Sequence, residues 1–135
     1  MLMKPKPLFI VTAVIEAGTG LALALSPSAL VSVLLGVSLD TPAALTVGRV
    51  AGAALLSLGI VCWFARDDEQ SRAATGLIAA MLFYNAAAVA LLAYARIALG
   101  LFSVFLWPAV GLHAGLAVWC LACLWNKRVN VGDGK

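Results

Sequence analysis

The sequence predicts an all-α integral membrane protein, a four-helix bundle with a short interfacial helix between its first two spans. Three observations lead there. The chain is 64% hydrophobic and only 11% charged, whereas soluble domains carry about 25% charged residues. Four apolar stretches approach the ~20 residues that a helix needs to cross the hydrocarbon core. Each stretch also holds one strongly polar residue, Glu16, Arg49, Asn85 or His113, at a similar depth. A length of 135 residues allows a single domain, and four spans occupy more than half of it.

The first span covers 8–25, after a leader containing Lys4 and Lys6. Its basic start and the run Ala22-Leu23-Ala24 resemble a cleavable secretory signal. Glu16 interrupts the apolar region, however, so the segment is read as a retained helix. Ser26-Pro27-Ser28 stops this span and opens a short apolar segment, 29–35, closed by Gly36. That segment is too short to cross and predicts a surface or re-entrant helix.

Asp40-Thr41-Pro42 pairs a capping side chain with a proline at the first turn, which marks the start of the second span at 42–64. A polar turn from Arg66 to Arg72 follows, and then the third span at 73–95. Residues 97–106 remain apolar, so the third connection is short. The fourth span, placed at 104–125, starts near Ser103 or at Pro108 and gives way to the polar tail Asn126-Lys127-Arg128.

Orientation follows from the basic residues. Four spans put Lys4, Lys6, Arg66, Arg72, Lys127, Arg128 and Lys135 on one side, with only Arg96 and the intrahelical Arg49 elsewhere. Positively charged flanks stay in the cytoplasm. The expectation is a multi-pass protein of the bacterial inner membrane with both termini cytoplasmic. The net charge of +3 and pI near 9.0 are therefore topology signals. No basic patch interleaved with aromatics points to nucleic acid.

A charged side chain facing lipid at mid-helix costs roughly 2.5–3.5 kcal/mol on insertion scales, so the polar layer is expected to face inward. Glu16 lies ~13 Å, Arg49 ~10 Å and Asn85 ~15 Å from the outer helix ends, and His113 roughly 7–15 Å. Glu16 and Arg49 carry opposite charges on successive spans, which predicts a buried, bidentate ion pair. Thr12 and Thr19 continue the polar stripe of Glu16 at helical spacing. Asn85 both donates and accepts, and His113 can shuttle a proton or ligate a metal. Tyr84 points about 100° from Asn85 on a helix and is left outside the layer.

Two readings of the layer stay open at this point. Interhelical hydrogen bonds lock membrane bundles together, so these residues can be structural glue. They can equally line a ligand site. One histidine and one glutamate make at most half a metal shell, so no metal is assigned.

Cys62, Cys120 and Cys123 fall in the cytoplasmic half, where reducing conditions argue against a disulfide, and they are read as small packing residues. Gly48 and Gly52 stand at GxxxG spacing, and Gly18 with Gly20 gives the first span a small face. Such faces bring helices close, and their number also suggests a homo-oligomer or a partner in a larger membrane complex.

Glu16-Ala17-Gly18-Thr19-Gly20-Leu21, then Ser26-Pro27, then Gly48-Arg49-Val50-Ala51-Gly52 with Leu58-Gly59, resembles small bacterial four-helix membrane proteins of the DoxX-like type. The likeness covers the first half of the chain and implies the four-helix architecture. Some members of that group are associated with quinone-linked oxidoreductase systems. No catalytic motif is matched, so no activity is carried over.

The functional expectation is a membrane protein whose polar layer binds a lipophilic small molecule, quinone-like or lipid-like, or which serves as an accessory component of a membrane system. A purely structural subunit is the alternative. An oligomeric small transporter or channel is the third option.

Overall fold

The computed structural model describes residues 4–132, with side chains described as far as Lys127. Five helices form it: α1 (Pro5–Leu25), α2 (Pro27–Leu35), α3 (Pro42–Ala65), α4 (Arg72–Ile97) and α5 (Leu106–Gly132). There is no strand among the described residues. Helices α1, α3, α4 and the 106–127 part of α5 are each long and apolar enough to cross a membrane, so the chain is a multi-pass α-helical protein.

Local chemistry sets the boundaries. Proline opens α1, α2 and α3 in the first turn, where its missing N–H costs nothing and its fixed φ suits the helix. The Thr41 hydroxyl accepts from the Ala44 N–H at 3.1 Å, and the Ser71 hydroxyl accepts from the Ala74 N–H at 3.0 Å. Helix α2 ends on Gly36, whose φ of +76° suits glycine. A Cβ at Gly36 would also run into the Phe102 carbonyl, so this turn is closed on two counts.

The fourth span begins between the two starts that the sequence left open. Leu106 is its first helical residue, and Pro108 falls within the first turn, where no helical hydrogen bond is lost. Helix α5 continues to Gly132, past the predicted end near Trp125, because nothing in Asn126-Lys127-Arg128 breaks a helix.

Cross-links fix the up-and-down order. At one end the Lys6 ammonium donates to the Asp67 carboxylate at 2.7 Å, and the Lys127 ammonium donates to the Thr75 hydroxyl at 2.9 Å. The start of α1, the α3–α4 turn and the end of α5 therefore share this basic end. At the other end the Ser103 hydroxyl donates to the Val33 carbonyl, so α2 and the 98–105 loop lie together there.

Helices α1 and α3 are antiparallel and touch backbone to backbone. Gly20 lies against Gly52 and Leu56, Gly52 against Gly20 and Ala24, and Gly59 against Ala13 and Ala17. A Cβ added at Gly52 would come within 2.5 Å of the Ala24 nitrogen. The glycines thus bring the two helices together without intervening side chains. Gly18 takes no part, since it is exposed and has open space around it.

Towards the basic end this pair meets α4 and α5 through an apolar core. Leu8, Phe9 and Cys62 pack with Ile78, Met81, Leu116, Cys120 and Cys123. The three cysteines are buried packing residues there. The Cys62 thiol donates to the Met81 thioether at 3.6 Å, tying α3 to α4.

Candidate functional site

One turn beyond this core, three of the four sequence-predicted polar residues come together with one that the sequence analysis set aside. Glu16 on α1 is 1% exposed and Asn85 on α4 is fully buried, while His113 on α5 and Tyr84 on α4 are half-buried. The cluster therefore has a closed floor and a partly open side.

Its geometry is two hydrogen-bonded groups across three helices, joined by the Tyr84–Asn85 peptide. The Tyr84 hydroxyl donates to Glu16 Oε2 at 3.3 Å. Asn85 Nδ2 donates to the Met81 carbonyl at 2.8 Å, and Asn85 Oδ1 lies 2.8 Å from His113 Nδ1. The Tyr84 and His113 rings meet edge to face, 5.7 Å apart at an interplanar angle of 83°.

Two buried oxygens on α1 are left over. Among the described residues Glu16 Oε1 and Thr12 Oγ1 have no hydrogen-bond partner. They lie four residues apart and so share one helix face. A carboxyl oxygen in an apolar interior without a partner forfeits a substantial interaction. Thr19, three residues beyond Glu16, is half-buried.

Arg49 does not join the cluster, which corrects the expected Glu16–Arg49 pair. It is exposed, and it makes no ion pair among the described residues. Helical phase explains this. Gly48 and Gly52 face the α1–α2 side, packing against Pro27 and Ala24, and the next residue along is turned by about 100°. Glu16, for its part, is bonded to Tyr84 of α4.

Tyr84 is the correction in the other direction. An angle of about 100° from Asn85 suggested that it pointed elsewhere, yet it points to a different neighbour of the same site. Tyr84 reaches α1 while Asn85 reaches α5. Its adjacency to Asn85 on an otherwise alanine-rich helix was the signal available in the sequence.

The outer flank of the α1–α3 pair carries a different feature. An apolar groove there is lined by Val14 and Ala17 of α1 and Gly59, Ile60 and Phe64 of α3. Arg49 precedes Ile60 by eleven residues, close to three helical turns, and so stands on the same flank ~16 Å away.

Among the described residues no three His, Cys, Asp or Glu side chains gather as a metal site. The cluster offers a carboxyl, a phenol, a hydroxyl and an oriented imidazole in a low-dielectric setting. This set suits recognition of a small polar group or movement of a proton. No protein-family model, curated protein or solved structure matches the chain.

Proposed function

We infer that the Glu16–Tyr84–Asn85–His113 centre binds the polar head of a lipophilic small molecule, quinone-like or lipid-like, which enters from the membrane. The single observation that carries this is Glu16 Oε1, on a residue buried to 1% exposure, with no hydrogen-bond partner among the described residues. A residue serving only as glue would be satisfied within the bundle, because interhelical bonding is what glue supplies. The half-buried Tyr84 and His113 supply an approach from the side. The basic residues gathered at one end support a bacterial inner-membrane protein with cytoplasmic termini, in which the site lies in the outer half.

Native mass spectrometry of the protein extracted in mild detergent tests this. The wild type is expected to carry a small molecule that Glu16→Leu loses while circular dichroism shows the helices intact. A wild type that flies bare, or a ligand retained equally by Glu16→Leu, rejects the site.

A second reading, membership in a larger membrane assembly, is favoured by Arg49. A cation on the outer face of a span is expensive in lipid, and an acidic group on another chain would offset that cost. The same spectra recorded for Arg49→Leu would then show a second chain released.

A further inference from the structure

The hydrogen-bond polarity of the cluster restricts what it binds. The Met81 carbonyl is an acceptor only, so the Asn85 group facing it at 2.8 Å is the amide nitrogen. That fixes the side-chain carbonyl of Asn85 towards His113, 2.8 Å from Nδ1. A carbonyl cannot donate, so His113 Nδ1 carries the hydrogen. The tautomer follows from the backbone carbonyl at the start of this relay, with no choice of amide orientation left free.

The two nitrogens of an imidazole point in nearly opposite directions, so Nε2 faces away from the buried Asn85 amide. The neighbours of His113, Asn85 and the Tyr84 ring, are uncharged, and the Tyr84 hydroxyl hydrogen is already committed to Glu16. Among the described residues no carboxylate is hydrogen-bonded or ion-paired to the ring. With Nδ1 protonated, Nε2 of the half-buried His113 is the ring's acceptor.

We propose that the site recognises a hydroxyl group, which donates its hydrogen to His113 Nε2. The proposal rests on the binding reading above and narrows it to a chemical class, lipophilic molecules bearing a phenol-like or alcohol head. A carbonyl or ether oxygen accepts only and would leave the Nε2 lone pair facing nothing. A hydroxyl also accepts, so its oxygen can take a hydrogen from the Thr12 hydroxyl or from the carboxyl of a protonated Glu16. Asn85 is a positioning residue in this scheme, acting on the ligand only through the tautomer that it imposes on His113.

Two probes that differ only at the oxygen separate the outcomes, 4-octylphenol and its methyl ether 4-octylanisole. Their binding to the detergent-solubilised protein is measured by isothermal titration calorimetry. The phenol is expected to bind about tenfold more tightly than the ether, the scale of one hydrogen bond. In His113→Phe the preference collapses to near unity. Nitrogen-15 NMR of histidine-labelled wild type provides a readout independent of any variant's folding, with Nδ1 protonated and Nε2 bare.

Equal binding of the two probes, or a protonated Nε2, overturns the hydroxyl assignment and leaves the binding site standing. Failure of both probes to bind a wild type that also carries no native ligand overturns the site and this proposal together.

Discussion

Tyr84 and Asn85, adjacent on α4, serve opposite halves of the bundle. Tyr84 reaches back to Glu16 on α1, and Asn85 holds His113 on α5. The α1–α3 pair is welded by glycine contacts, and the apolar core holds the two pairs together towards the basic end. In the polar layer the Tyr84–Glu16 bond is the link between them. One dipeptide thus joins the bundle and builds the candidate site.

Loss of either contact should be measurable. Interhelical hydrogen bonds in membranes are worth about 0.6 kcal/mol on average and up to ~1.7, and stranding a buried partner adds to that. Tyr84→Phe is expected to destabilise by about 1 kcal/mol and Asn85→Leu by about 1–3 kcal/mol. Unfolding in mixed micelles checks both. A neutral Asn85→Leu would mean that His113 finds another partner and that Asn85 does not set its tautomer.

The α1–α3 seam gives a paired test within one sequence motif. Gly52→Ala places a methyl group within 2.5 Å of the Ala24 nitrogen and should cost about 1–3 kcal/mol by overpacking. Gly18→Ala enters open space and should be neutral or stabilising by up to ~1 kcal/mol through helix propensity. The same unfolding assay reads both. Similar effects at the two positions would mean that the helices are not in backbone contact.

The contrast between Gly18 and Gly52 also shows where the sequence was legible. Hydropathy, proline starts and the sorting of Lys and Arg locate spans along the chain, because those signals depend on transfer from water to lipid and not on neighbours. Depth follows from counting, so the level of Glu16, Asn85 and His113 was readable. Azimuth was not. Which face of α1 meets α3 and which meets α4 depends on packing between helices. In lipid the inner and outer faces of a span are both apolar, so polarity does not mark the inner one. Arg49 was misplaced and Tyr84 passed over for that one reason.

Acid should loosen the basic end in a defined direction. The Lys6 ammonium, helped by Arg66 beside it, holds the Asp67 carboxyl below its ordinary value of 3.8. A carboxyl whose folded value is depressed contributes stability that is complete above the unfolded value and lost as pH falls through the folded one. The contribution is expected to be full at neutral pH, to fade as pH drops below 3.8, and to shrink in high salt because the pair is exposed. Unfolding midpoints of wild type and Asp67→Asn against pH should converge in acid. A gap that persists at the lowest pH, or widens there, contradicts the Lys6–Asp67 link.

The separation of Arg49 from Glu16 makes the sharpest demand on energetics. Had the two formed a buried ion pair, removing one partner would strand the other, and the double substitution would recover much of the loss. With Arg49 on the outer flank of α3 and Glu16 bonded to Tyr84, no such coupling exists. Glu16→Gln and Arg49→Leu are expected to be additive within ~0.5 kcal/mol. Arg49→Leu alone should not destabilise the isolated protein, because leucine suits a lipid-facing position better than a cation does. A double-mutant cycle of unfolding in mixed micelles decides the matter. A coupling energy above ~1 kcal/mol would return Arg49 to the polar layer and require α3 to be rotated about its axis.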